Sequence, residues 1–173
     1  MELAAEIRLH QVNFTLCPSL WSTFDFSHFD CNNATWHEVK FLNDDASGLH
    51  SDMDRLPTNS GGIYIFFVKP PIMPNAVNYL MYVGMTKLSS RGNLRTRCKS
   101  YYYEYNSPND VIRPYIGTLI SQWGKYLYIR FIHVDNNDFI EELENKLIAA
   151  LKPPFNHDID IKRIGREISA YNF

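Results

Sequence analysis

The sequence predicts an α+β fold: a small three-stranded antiparallel sheet flanked by helices and preceded by an N-terminal extension. Two patterns carry this expectation. Three short runs are rich in aromatic and β-branched residues, namely Gly62-Ile63-Tyr64-Ile65-Phe66-Phe67-Val68, Tyr79-Leu80-Met81-Tyr82-Val83-Gly84 and the alternating segment 126–134. After them, apolar residues recur at helical spacing, most clearly at Ile140, Leu143, Leu147, Ile148 and Leu151.

Along the chain, residues 1–60 hold short mixed segments (7–14 and 35–42) and then a polar stretch with Pro57 and Asn59. They are expected to form an acidic accessory lobe and linker, with the main domain at 61–173. The first strand ends at Lys69-Pro70-Pro71, and a proline-bearing loop leads to the second, so the pair forms an enlarged hairpin. A helix opens at the cap residue Asn93 and runs to Tyr103, and a second spans 111–123. The third strand follows, then a helix from Asp138, where Asp138 and Glu141 have capping-box spacing and Pro153-Pro154 stop the chain. A short terminal helix is expected at 161–171. Glu144 falls within the apolar stripe of the preceding helix. A carboxylate there is costly unless paired or metal-bound; the alternative is a residue at the stripe's edge that reaches water.

At 173 residues, 45% hydrophobic and 14% aromatic, the chain has material for a real core, which excludes a disordered protein. No apolar run approaches the ~20 residues of a membrane span, and Met1-Glu2-Leu3-Ala4-Ala5-Glu6 is acidic where a secretory signal is basic, so a cytoplasmic protein is expected. The three cysteines, Cys17, Cys31 and Cys98, are widely spaced and odd in number, as suits a reducing compartment. Cys17 and Cys31 with His28 and His37 match no common zinc spacing, so free thiols are expected. The net charge of −2 conceals a division: residues 1–60 carry three basic and nine acidic residues, and residues 61–173 carry fourteen and ten. Between Met85 and Tyr103 stand Lys87, Arg91, Arg95, Arg97 and Lys99 with no acidic residue and with tyrosines following, the footprint of a phosphate-binding surface.

Gly62-Ile63-Tyr64 followed by Tyr82-Val83-Gly84 resembles the signature of the GIY-YIG nuclease superfamily. Asn93-Leu94-Arg95-Thr96-Arg97, trailed by Tyr101-Tyr102, is similar to that family's helix motif and places its essential arginine at Arg97. Glu144, Pro153-Pro154 and Asn156 follow in the order and spacing of the family's metal-binding glutamate and later asparagine. Tyr115-Ile116-Gly117 is a literal YIG, but it follows no strand-like run and precedes no such motif. Many members carry lysine directly after the second triplet; Met85 stands there in this chain, leaving Lys87 or Lys99 to supply the cation.

The resemblance implies a metal-dependent DNA endonuclease. Glu144 would hold a hydrated Mg²⁺ or Mn²⁺, since a hard divalent ion accepts one carboxylate and completes its shell with water and substrate phosphate. Arg97 offers a planar charged fork for phosphate oxygens, and Tyr101 lies one turn later on the same helix face. Tyr64 is the implied general base or water-positioning group, favoured as phenolate by metal and arginine. Tyr82 supports it or orients the phosphate, and Asn156 fixes the site's backbone. Lys87, Arg91, Arg95 and Lys99 are the expected DNA contacts. His133 and His157 form no recognisable two-ligand spacing. The setting expected is restriction or phage defence; the alternatives are a repair or homing nuclease, a catalytically weak nucleic-acid-binding module, or a protein-interaction module. The acidic lobe is expected to shield the basic domain, to dock a partner protein or a second copy, or simply to complete the core through residues such as Trp21 and Trp36.

Overall fold

The computed structural model describes residues 10–73, 76–107 and 114–156. Its strands are β1 (His37–Lys40), β2 (Gly62–Val68), β3 (Tyr79–Thr86) and β4 (Leu127–His133), and its helices are α1 (Pro18–Ser22), α2 (Leu94–Asn106), α3 (Pro114–Trp123) and α4 (Asn137–Leu151). A 3-10 turn covers Ser51–Arg55. The α+β class is as expected, but the sheet has four strands rather than three, in the order β1-β4-β2-β3 with every neighbouring pair antiparallel. The added strand is β1, which pairs from His37 opposite Phe131 to Lys40 opposite Tyr128. It is four residues long and buries only Val39, so it lacks the apolar run that marks the other three. Tyr115-Ile116-Gly117 lies inside α3, away from any strand.

Side chains alternate across a strand, so the sheet has two unlike faces. On one, Tyr64, Phe66, Val68, Ile129 and Phe131 pack with Leu94, Cys98 and Tyr101 of α2 and with Ile116, Leu119 and Ile120 of α3. On the other, Ile63, Val83 and Ile132 pack with Ile140, Leu143, Leu147 and Ile148 of α4. The first core also contains Phe41, Leu42, Met53 and Leu56, each at most 2% exposed. Full burial of one such side chain stabilises the fold by about 1.5–3 kcal/mol before entropy is counted.

Helix ends follow local chemistry. Asn93 caps α2 in a reciprocal box with Thr96. The cap of α4 is Asn136, whose side chain accepts the Asp138 N–H, and not the expected Asp138–Glu141 box. Lys152 ends that helix in the left-handed region at φ 46°, and Pro153 prevents its continuation. The indole of Trp21 ties α1 to this end by donating to the Ala150 carbonyl at 2.9 Å. The three cysteines are free thiols. The helix expected at 161–171 and His157 lie outside the described residues.

Deleting residues 1–55 removes β1 together with Phe41, Leu42 and Met53. The truncated chain is expected to lose its cooperative thermal transition in circular dichroism; a sharp transition within a few degrees of the full-length protein's would show that these residues are dispensable to the core.

Candidate active site

Two glycines permit close approach in the sheet, Gly62 to the backbone of β4 and Gly84 to the Tyr64 ring of β2. Gly62 has φ 155°, and a Cβ there would lie 2.0 Å from the Ile132 carbonyl oxygen. A Cβ on Gly84 would lie 2.6 Å from Cζ of Tyr64 and 2.7 Å from its hydroxyl. The Tyr64 ring therefore lies over the bare backbone of Gly84, its register partner on β3. No side chain larger than hydrogen fits beneath it.

From α2, Arg97 and Tyr101 reach the same point, being four residues apart on one helix face. The hydroxyls of Tyr64 and Tyr101 are 2.6 Å apart, and that of Tyr82 is 3.5 Å from Tyr101. The Arg97 Nε–H donates to the Tyr64 oxygen at 3.2 Å, while its guanidinium carbon stands 4.8 Å from the centre of the Tyr101 ring. Tyr64 and Tyr101 are buried, and Tyr82 and Arg97 are half-buried. The latter two form the solvent-facing side of the cluster.

Burial pushes the Tyr64 hydroxyl well above the ordinary tyrosine range; neighbouring Tyr82 adds to the shift, and Arg97 opposes it without prevailing. Burial likewise raises Tyr101, with Tyr64 and Tyr82 adding. Both are neutral phenols in the resting protein. The groups facing the Arg97 cation are these tyrosines, so its charge is met by dipoles and ring faces. Since its bond to Tyr64 uses Nε, the two terminal nitrogens retain donors for an arriving anion.

Asn156 is 8% exposed and grips the middle of the second triplet: its Oδ1 accepts the Val83 N–H at 2.8 Å and its Nδ2 donates to the Val83 carbonyl at 2.7 Å. The Phe155 N–H donates to the Met81 carbonyl at 3.0 Å. Because β3 is an edge strand, these bonds occupy backbone groups that face away from β2.

Glu144 is half-buried on α4, at the margin of the stripe formed by Ile140, Leu143, Leu147 and Ile148. Its helix covers the sheet face opposite Tyr64. Both α2 and α4 touch β3, so the edge strand is the seam between the tyrosine–arginine cluster and the glutamate helix. Among the described residues, no three His, Cys, Asp or Glu side chains stand together as a metal cage. A single carboxylate is enough for a hydrated Mg²⁺ or Mn²⁺ that takes its other ligands from water and substrate.

The basic residues have divided roles. Arg95 donates from Nε to the Leu56 carbonyl at 2.7 Å and also bonds the Asp54 carbonyl, and Lys99 pairs with the Asp54 carboxylate at 2.7 Å. Both bind α2 to the 3-10 turn. Lys87 pairs with Glu141 at 3.0 Å, where both partners are largely exposed and the bond is worth at most about 1 kcal/mol. Arg91 is exposed on the turn before α2. Lys87 and Arg91 are thus the cations a phosphate can reach most readily. Met85, in the position of the family's lysine, packs with the α4 core.

The chain is 33% identical over 110 residues to UvrABC system protein C of Wolinella succinogenes, which covers 62% of this chain and 16% of that protein. It is 33% identical over 111 residues to the protein of the same name from Helicobacter pylori strain G27, with the same coverage. Against that of Koribacter versatilis it is 33% identical over 108 residues, covering 62% of this chain and 14% of the relative. The chain thus spans about a sixth of the length of these relatives. No protein-family model and no solved structure matches it.

Two outcomes follow from this geometry. Gly84→Ala should destabilise the protein by about 1–3 kcal/mol, because the Tyr64 ring must leave its place; an unchanged denaturation midpoint would show that the ring can yield freely. Tyr64 and Tyr101, with raised folded-state pKa values, hold their protons when the unfolded chain begins to lose its own near pH ~10. Stability from their neutral burial is complete below that pH and declines as pH rises from about 10 toward the folded values. Tyr64→Phe should flatten this alkaline decline in urea midpoints measured from pH 8 to 11; an identical slope would place its ionisation elsewhere.

Proposed function

We propose that this chain is a GIY-YIG-type nuclease domain that hydrolyses DNA phosphodiester bonds with a divalent metal ion, in a repair setting. The observation that carries the proposal is the Tyr64–Arg97–Tyr101–Tyr82 cluster, whose four side chains lie within hydrogen-bonding or ring-contact distance at one end of the signature hairpin. Similarity to UvrABC system protein C supports the superfamily reading and the repair alternative. The restriction or phage-defence setting expected from the sequence has no support among these relatives. No helix among the described residues is long and apolar enough to cross a membrane.

In this reading the terminal nitrogens of Arg97 hold two oxygens of the scissile phosphate and meet the negative charge that grows there in the transition state. Tyr82, at the open side, donates to the same phosphate. Tyr64 is neutral and stays so: its buried hydroxyl orients the attacking water, whose oxygen bonds the phosphorus as the bond to the leaving oxygen breaks, and the water's proton passes to that leaving oxygen. Glu144 would hold the Mg²⁺ or Mn²⁺, which when bound supplies positive charge to the phosphate and the leaving oxygen. Asn156 holds the backbone between Tyr82 and Gly84 so that both tyrosine rings keep their places. Lys87 and Arg91 contact the flanking strand. Specificity comes from loops, an accompanying domain, a second copy or a partner protein, with the acidic residues before 61 as the surface for such docking.

The test is incubation of the protein with supercoiled, linear and single-stranded DNA in Mg²⁺, Mn²⁺ or chelator. Metal-dependent cleavage is expected, and Glu144→Gln should abolish it with the thermal midpoint retained. Tyr64→Phe should slow cleavage roughly 10²-fold or more, and Arg97→Lys should not restore the activity lost in Arg97→Ala, because the fork is lost. Binding of DNA without cleavage under every metal condition would favour the binding-module alternative.

A further inference from the structure

A second cluster of cations lies away from the tyrosine–arginine site. Lys40, Lys69 and Lys125 line a cleft of about 250 Å³ with Tyr126, Tyr128, Pro70, Pro71 and Asp44. Tyr128 pairs with Phe67 of β2 and with Lys40 of β1, whereas Phe131 pairs with Tyr64. Positions 64 and 67 differ by an odd number in an unbroken β2–β4 ladder, so the two sites use opposite faces of the sheet.

Cations and rings are interleaved there. The Lys69 ammonium stands 5.0 Å from the Tyr128 ring centre and that of Lys125 5.6 Å from Tyr126. The Tyr128 ring stacks on Phe67 at 5.8 Å, which holds its plane. The lysines are not equally committed. Lys69 is fixed by Glu38 at 2.8 Å, with Glu38 also taking Arg130 at 3.0 Å. Lys40, its side chain only 14% exposed, is answered by Asp44, whose side chain is 91% exposed. An exposed carboxylate is held weakly by its partner, so an incoming anion can displace it at small cost. Lys125 is exposed and has no ion pair among the described residues.

We propose that this cleft binds one nucleotide unit of a DNA strand, with its phosphate among Lys40, Lys69 and Lys125 in place of the Asp44 carboxylate and its base against Tyr126 and Tyr128. Lys125 and Lys40, with Lys69 held beside them by Glu38, face one displaceable carboxylate and select an anion; aromatic and proline walls beside them select an anion joined to a flat ring. The volume suits a single nucleotide, being near the lower limit of small-molecule sites. That the nucleotide belongs to DNA rests on the nuclease proposal, whereas the nucleotide chemistry of the cleft does not.

The test is titration of the full chain with thymidine 5′-monophosphate, inorganic phosphate, thymidine and a short oligothymidylate, followed by amide resonances. Saturable shifts are expected at Lys40, Lys69, Lys125, Tyr126 and Tyr128, with the nucleotide binding tighter than phosphate or thymidine and the oligonucleotide competing with it. Lys125→Ala, an exposed change, should weaken the nucleotide about three- to tenfold, and Asp44→Asn should tighten it about two- to fivefold by removing the competing carboxylate. Shifts confined to Tyr64, Tyr82 and Arg97, inorganic phosphate binding as tightly as the nucleotide, or Asp44→Asn without gain would each overturn the assignment. An oligonucleotide that fails to compete would overturn its DNA part. Cleavage is not among these readouts, so a protein that binds here and cuts nothing would refute the nuclease proposal and leave the cleft's nucleotide chemistry standing.

Discussion

The close approach of the Tyr64 ring to the backbone of Gly84 governs this molecule. It fixes where a buried hydroxyl sits, and that hydroxyl is the point on which Tyr101 and Arg97 converge. The ring is wholly buried, so its position is held by close packing as well as by hydrogen bonds. Four polar groups from β2, β3 and α2 are thereby kept together in a region where an unsatisfied hydroxyl would cost about 1–3 kcal/mol. The burial that makes Tyr64 a poor resting base also keeps it from drifting, which is the property a positioning group needs.

The two halves of the proposed machinery lie on different faces of one sheet, with the tyrosines and arginine under α2 and the glutamate on α4. Only an edge strand can be touched from both sides by one short substrate segment. β3 is such a strand, and Tyr82 lies in it. Two asparagines hold this region in the same way, each using its carboxamide to bond both backbone groups of one residue: Asn156 on Val83, and Asn137 on Leu88. The second ties the start of α4 to the chain just past β3, so the position of the helix and the path of the strand are linked.

Much of this was legible in the sequence. Strands β2, β3 and β4 are rich in aromatic and β-branched residues, and α4 shows its stripe, because those elements are defined by what their side chains bury. β1 was missed because backbone bonds to β4 define it, and those leave no mark on residue type. The cap of α4 was misplaced for a related reason: Asp135-Asn136-Asn137-Asp138 offers four competent caps, and the backbone path chooses among them. Within the site, the spacing of Arg97 and Tyr101 set them on one helix face. The same spacing sets Arg95 and Lys99 together on another, facing Asp54, a partner forty residues away that local patterning does not reveal. The Lys40–Lys69–Lys125 cleft was invisible for the same reason, being assembled from three distant segments.

The grip of residues 155 and 156 on β3 also determines how this sheet meets other proteins. An exposed strand edge is a template on which a foreign strand can grow, and unprotected edges drive chains to stack into aggregates. Here the middle of the β3 margin is occupied by the chain's own Met81–Phe155 and Val83–Asn156 bonds. The opposite margin, β1, is four residues long and carries Glu38 and Lys40, a poor substrate for further pairing. A docking protein is thereby directed to helix and loop surfaces, where recognition is by side chain and hence selective. A high local concentration of this chain carries correspondingly little risk of fibrous association.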